Sequence, residues 1–167
     1  MSYKEINVRD LPESPVKMIA DNWALLSAGN ATDWNTMTVS WGAIGEIWGK
    51  DAVFAFVRPQ RYTKEFIDRE ERFSLSFLPA EKKEALRICG RLSGRDSDKL
   101  CVAGLHGVFC EGTVWPDAAA TVFVCRKLAA QPFDPAAFID PAIEGNYPNG
   151  DYHTMYVGEI EQVLVKE

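Results

Sequence analysis

Arg58-Pro59-Gln60-Arg61-Tyr62-Thr63 sets two guanidinium groups and two hydroxyls in one short turn. The apolar run Phe54 to Val57 ahead of it reads as a buried strand, which Pro59 ends because it offers no N–H to a ladder. Beyond the turn, Thr63, Phe66 and Ile67 have helical spacing, and Thr63 is placed to act as an N-cap. Guanidinium forks, a hydroxyl donor and free helix N–H groups together suit a phosphomonoester. On this stretch alone the simpler reading is two solvated arginines beside a capped helix.

Three further polar segments stand at strand ends or turns: Asn35-Thr36-Met37-Thr38-Val39-Ser40-Trp41, Ser93-Gly94-Arg95-Asp96-Ser97-Asp98-Lys99, and Gly150-Asp151-Tyr152-His153. Each has an ordinary structural account. Met37 and Trp41 alternate with threonines and serine as core residues of a strand would. Ser93 to Asp96 can open a capped helix, on which Lys99 is a solvated residue. A lone His153 is more often a hydrogen-bonded structural residue than a catalyst. Dinucleotide, P-loop and nucleophile-elbow signatures are missing, so a Rossmann site and an α/β-hydrolase are excluded as leading readings. Cys89, Cys101, Cys110 and Cys125 form no C-x-x-C pair, and only His106 and His153 could add imidazole, so no metal site is expected.

Strands are expected at Asn22–Ala28, Asn35–Ala43, Val53–Val57, Phe73–Leu78, Ala119–Leu128 and Met155–Val165, with one or two short ones within Val108–Trp115. Gly42, Gly45 and Gly49 break the pattern around Trp48, which reads as an interface-packing residue. Helices are expected from Thr63 to Arg69, from Glu81 to Ile88 with Gly90 just beyond its end, and from an Asp96 cap to about Gly104. Cys89 and Cys101 on these helices read as small core residues. Ser2 to Pro15 is a polar lead-in, Pro15 to Ile19 a helical turn, and Pro132 to Gly150 mostly loop with one helical turn. Helices are too few and irregular for a doubly wound sheet, so an antiparallel barrel or half-open sheet of one domain, residues 1–167, is the expected architecture.

The chain has 167 residues, 47% hydrophobic and 25% charged, in the range of a globular domain with a real core. A formal net charge of −6 argues against nucleic acid or an anionic membrane as the main partner. The first residues lack an apolar signal-peptide core and no run approaches a membrane span, so reduced thiols in a cytoplasm are the expectation.

Taken in order, the four polar segments closely resemble the flavin reductase-like, FMN-binding split-barrel family, in its flavoredoxin-like branch, from about Pro15 to Val165. The match thins between Leu100 and Pro116. The resemblance implies a mainly β fold, a six-stranded antiparallel split barrel with peripheral helices, pairing as a homodimer and binding FMN. It implies an oxidoreductase taking hydride from NADH or NADPH onto FMN and passing electrons to free flavin or another acceptor. An electron carrier with tightly held FMN and a protein redox partner is the alternative, and a barrel holding another phosphorylated ligand, or none, as a structural module is a third. By the same resemblance, Asn35, Met37, Thr38, Ser40 and Trp41 meet the flavin ring and its side chain. Arg58, Pro59, Arg61, Tyr62 and Thr63 form the phosphate turn, and Ser93 and Lys99 form a second lobe, with Lys99 able to place charge near N1 and O2. His153 matches a late histidine close to the ring and the nicotinamide, the candidate catalytic residue.

Overall fold

The computed structural model describes residues 2–167. A short strand β1 (Tyr3–Ile6) and a helical turn α1 (Pro15–Lys17), capped by the Ser14 hydroxyl, lead into four strands. These are β2 (Ala24–Gly29), β3 (Trp34–Val39), β4 (Gly42–Ile47) and β5 (Lys50–Val57). Helix α2 (Thr63–Arg69), strand β6 (Arg72–Phe77), helix α3 (Lys83–Arg91) and helix α4 (Lys99–Ala103) follow. A small hairpin, β7 (Gly107–Cys110) and β8 (Thr113–Pro116), precedes the two long strands β9 (Thr121–Pro132) and β10 (Thr154–Lys166).

Antiparallel pairing runs in the order β3-β2-β6-β9-β10-β5-β4, with β1 added to β10, an 8-stranded sheet. This is the expected split barrel, enlarged at its edges by β4 and β1. Its end strands β3 and β4 are neighbours in sequence yet do not pair. The chain crosses the resulting seam through Ser40 and Trp41. Strand β10 pairs with both β5 and β9, and register shifts at Val157/Gly158 and Ile160/Gln162 bend it between them.

Leu26, Val53, Val57, Phe66, Phe73, Phe123 and Tyr156 fill the barrel interior. Leu25, Leu86, Cys89, Trp115, Val122 and Val124 form a second cluster under α3 and the small hairpin. Successive residues of β9 therefore enter different cores, which is why its sequence reads as a continuous apolar run rather than an alternating one.

Several local expectations are overturned. The glycine-rich stretch after Val39 is a strand, β4, paired along its length with β5, because tertiary pairing outweighs glycine's poor strand propensity. The hairpin turns at Trp48 and Gly49, both at positive φ (56° and 70°), where a glycine is the natural second residue. The expected strand Asn35–Ala43 thus stops at Val39, and the next begins at Lys50 rather than Val53. Part of the polar lead-in pairs as β1, since a ladder uses backbone groups whatever the side chains. Gly90 lies inside α3, which ends against an extended Leu92. Asp98, not Asp96, caps α4 by accepting from the Cys101 N–H, and Cys101 is exposed. The Pro132–Gly150 segment carries two helical turns, Pro135–Ala137 and Pro141–Asn146, each opened by a capping aspartate. Among the described residues no helix is long and apolar enough to cross a membrane.

Helix α2, which follows the arginine turn, is tied to the barrel by polar contacts at its C-terminal end. The Lys127 ammonium donates to the carbonyls of Ile67 and Asp68 (2.5 and 2.9 Å). The buried Tyr156 hydroxyl donates to Asp68 and accepts from Lys64 at 2.9 Å. Tyr156→Phe keeps the ring but removes one partner each from Asp68 and Lys64, which still pair with each other at 2.7 Å, so it should cost about 1 kcal/mol in equilibrium urea unfolding. An unchanged midpoint would show that water replaces the hydroxyl at no cost.

Candidate functional site

The seam between β3 and β4 opens onto a cavity of about 320 Å³. It is lined by Met37, Thr38 and Val39 at the end of β3, by Ser40 and Trp41 in the crossing, and by Phe56, Arg58 and His153. Thr38 donates its hydroxyl to the Leu86 carbonyl at 2.5 Å, which locks β3 against α3. Trp23 completes the wall from an unusual backbone conformation, φ 63° and ψ 159°. Its indole N–H donates to the Ala20 carbonyl at 3.1 Å, and the Lys83 ammonium stands 3.9 Å from the ring centroid. Held strain of this kind is typical of ligand-facing positions.

A second, smaller pocket of about 200 Å³ adjoins the first, with Arg61 in the wall of both. The arginine turn supplies Arg61, Tyr62 and Thr63, the last residue of α3 supplies Arg91, the loop after it Ser93, and the first residue of α4 Lys99. Its lining includes no carboxylate. Arg61 is aimed by the end of α3, donating to the carbonyls of Gly90 (2.8 Å) and Cys89 (3.3 Å). Burial pushes its pKa down from the ordinary arginine value. Lys99, expected to be a solvated helix residue, is only 2% exposed. Burial pushes its pKa down to about 8, opposed in part by Cys89 and reinforced to a lesser degree by Arg61. No acceptor in the described chain meets its ammonium. Three cationic side chains, Arg61, Arg91 and Lys99, thus share one pocket without an anion of the protein's own.

Thr63 is not the N-cap of α2. The chain is already helical at Tyr62 (φ −58°, ψ −35°), so the first-turn N–H groups of Lys64 and Glu65 meet the carbonyls of Arg61 and Tyr62. The buried Thr63 hydroxyl instead accepts from the Asn35 side-chain amide at 2.8 Å, leaving its own proton free to donate into the pocket. Asn35, expected to touch a cofactor, lies behind Thr63 and lines neither of the two pockets. Gly94 suits this position, because a Cβ on it would sit 2.6 Å from the side-chain amide oxygen of the buried Asn35.

Of the remaining candidates, Met37, Thr38, Ser40, Trp41 and His153 meet in the larger cavity, and Tyr62 and Ser93 in the smaller. Pro59 lines neither and serves to shape the turn. Arg58 separates from Arg61: it faces the larger cavity, paired with Asp151 at 2.5 Å and donating to the Asn146 carbonyl at 2.8 Å. Lys99 lines the cationic pocket rather than the aromatic cavity. His153 is 8% exposed, with Nδ1 2.9 Å from the Tyr147 hydroxyl and its ring 5.3 Å from that of Trp41. Burial, then the nearby Arg58, push its pKa down to about 4, with Asp151 partly opposing, so the imidazole is neutral at ordinary pH. Trp23, Phe56, Arg91 and Tyr147 join these sites without having been singled out in the sequence. Arg91 sits two residues before Ser93 and could have been noticed there. Tyr147 lies in a loop with no pattern to mark it.

The model of a family described as "Flavin reductase like domain" matches residues 17–167. No curated protein matches the chain. Among solved structures, the FMN-binding protein of Thermus thermophilus with bound p-hydroxybenzaldehyde is similar over 100% of this chain and 82% of its own, at 20% identity and a TM-score of 0.70. The flavoredoxin of Desulfovibrio vulgaris is similar over 98% of this chain and 76% of its own, at 18% identity and a TM-score of 0.68. An NADH:FAD oxidoreductase of Streptomyces globisporus covers 87% of this chain and 75% of its own, at 16% identity and a TM-score of 0.63.

The buried Lys99 charge has a measurable consequence for the chain alone. Unfolded, Lys99 keeps its proton up to the ordinary lysine value of 10.5, whereas folded it releases it near 8. Within that window the unfolded state binds more protons, so stability rises with pH, and below it the folded state carries the full cost of the buried cation. Lys99→Met removes that cost. The ligand-free variant should be more stable than the wild type by on the order of 2 kcal/mol at neutral pH. The gap should close above the ordinary lysine range, as read by urea unfolding at both pH values. A pH-independent gap would mean that Lys99 does not titrate in the window.

Proposed function

The chain belongs to the flavin reductase-like domain family, and from that premise we propose that it is an FMN-binding oxidoreductase. In this reading it takes hydride from NADH or NADPH and passes the electrons to free flavin or another acceptor. The observation that carries it is the junction at Arg61: a carboxylate-free pocket of three cations opens beside a cavity walled by Met37, Trp41 and Phe56. A ligand that matches both has a phosphate at one end and a flat, largely apolar ring system at the other. FMN has that form.

The residues present fit the group. A phosphomonoester dianion would give Lys99 the counterion it lacks, with Arg61 and Arg91 adding charge and Ser93 and Thr63 hydroxyl donors. Ser40 and Met37 offer a small residue and apolar cover for a ring along the end of β3. Bound there, FMN supplies the redox chemistry, and the chain's task is to bind, orient and screen from water. His153, neutral and beside Trp41, is the group available to meet a second ligand over the ring.

A second reading, an electron carrier that keeps its FMN and meets a protein redox partner, draws on the likeness to flavoredoxin and on the net charge of −6. Retention of flavin through turnover separates it from a reductase that releases reduced flavin. Pairing of two copies is also part of the proposal. Edge strand β4 has an open ladder on one side, and Trp48 at its tip is 63% exposed.

Flavin fluorescence titration tests the binding. FMN should saturate the wild type, and Arg61→Ala or Lys99→Met should each weaken it by about 1–3 kcal/mol. Riboflavin, lacking the phosphate, should bind the wild type and both variants almost alike; an equal loss for riboflavin would remove the phosphate role. Anaerobic spectra then test the activity, with NADH or NADPH expected to bleach the oxidised-flavin absorption. Tightly bound flavin that neither nucleotide bleaches would exclude the reductase reading and leave the carrier.

A further inference from the structure

Resting on the flavin reading for its ligand, we infer that Arg95 is a positioning residue for the cationic pocket: it clasps the loop 93–98 onto the arginine turn, holds Ser93 and Lys99 in place, and so sets how fast the phosphate end of the ligand is released. Arg95 lines a neighbouring cavity of about 490 Å³ and not the cationic pocket, so it acts through others. Ser93 opens the loop and Lys99 follows its last residue, and both line the pocket. Where the loop lies therefore decides whether half of the polar lining is present.

No residue from 93 to 98 is buried, so apolar packing does not fix the loop. The N–H groups of Asp96 and Ser97 donate to the Ser93 carbonyl at 3.2 Å each, which shapes the loop without tying it down. What crosses to the turn is Arg95. Its guanidinium donates to the Gln60 carbonyl at 3.1 Å, pairs with the Glu65 carboxylate, and stands 4.8 Å from the centroid of the Tyr62 ring. These three partners flank Arg61 and Thr63 in sequence, so one side chain joins the two lobes of the pocket. Among the described residues, no other group of the loop hydrogen-bonds to the turn. The clasp holds against a load, since Lys99 is buried beside Arg61 and Arg91 with no counterion of its own. A bound phosphate relieves that load, and its departure restores it. Both members of the ion pair are exposed, Arg95 by 42% and Glu65 by 57%, so the clasp is weak enough to open during exchange.

Amide hydrogen exchange on the chain without flavin tests the clasp. In Arg95→Ala the amides of Asp96 and Ser97 should exchange about tenfold faster, with those of β6 unchanged. Equal acceleration throughout the chain, no acceleration at these amides, or amides already unprotected in the wild type each overturn the inference. Release of FMN, followed by the recovery of flavin fluorescence on dilution, tests the consequence. Arg95→Ala should release FMN about tenfold faster, and Arg95→Lys, which keeps the charge but not the fork, by an intermediate factor. Riboflavin should leave the wild type and both variants at one rate; an equal acceleration for riboflavin overturns the link to the phosphate. Glu65→Gln separates the clasp from charge alone. Removing an anion beside a cationic pocket would slow the release of a phosphate, whereas loosening the clasp should speed it about threefold. Slower or unchanged release from Glu65→Gln overturns the inference. A wild type that binds no FMN would reject the proposed function and the release role with it, whereas FMN that binds but leaves all the variants at the wild-type rate rejects the role of Arg95 alone.

Discussion

The seam between β3 and β4 is the constraint on which the rest of the site depends. A closed barrel would bury the end of β3 under a neighbouring strand. Here the ladder stops, and Ser40 and Trp41 carry the chain across the gap without hydrogen-bonding either strand into closure. The cost of an open seam is two unpaired strand edges. The return is a cavity bordered by strand ends, whose residues are held by the sheet on one side and free on the other. Thr38 illustrates the division: its backbone belongs to the β2–β3 ladder, its hydroxyl anchors α3, and its neighbours face the cavity.

Helix α3 does for the cationic pocket what the seam does for the aromatic one. Its C-terminal carbonyls at Cys89 and Gly90 draw in the Arg61 guanidinium, a favourable use of the negative end of a helix. Arg91 at the end of α3, Ser93 in the loop beyond it and Lys99 at the start of α4 come to the same place. Among the described residues, none pairs with the Lys99 ammonium. A buried, unpaired cation is a stability defect in the isolated chain and a preorganised counter-charge toward an anion. The Asn35–Thr63 hydrogen bond has the same logic in neutral form, since it spends the acceptor of the hydroxyl and leaves the donor.

Much of this was legible in the sequence, and the parts that were not share a cause. Alternating segments such as Phe73 to Phe77 announce strands, and the order of four polar segments pointed to the family. The arginine turn could be located but not resolved. Arg58 and Arg61 are equivalent in composition and separated by two residues, yet one faces Asp151 and the other the end of α3, partners far away in sequence. Lys99 looked solvated because helix position says nothing about what packs over it. Strand β4 was hidden for a related reason: a glycine-rich segment has no pattern of its own, and only pairing with β5 makes it a strand. Local chemistry thus identified candidate groups, while their charge states and directions came from long-range contacts.

The contrast between the two arginines also explains how one continuous site can present two chemistries. Asp151 accepts both Arg58 and Gln60 through the same oxygen, so the cavity beside His153 is close to electrically neutral. Arg61 has only carbonyl partners, which orient a guanidinium without cancelling its charge. Positive potential is therefore concentrated at the end of the site where Arg91 and Lys99 join it, and is absent from the end walled by Trp41 and Phe56. A ligand with a charged terminus and a neutral ring can bind in only one direction along that gradient. Reversing it would bury an anion beside Asp151 and leave Lys99 unpaired, so orientation follows from electrostatics before any contact to the ring is made.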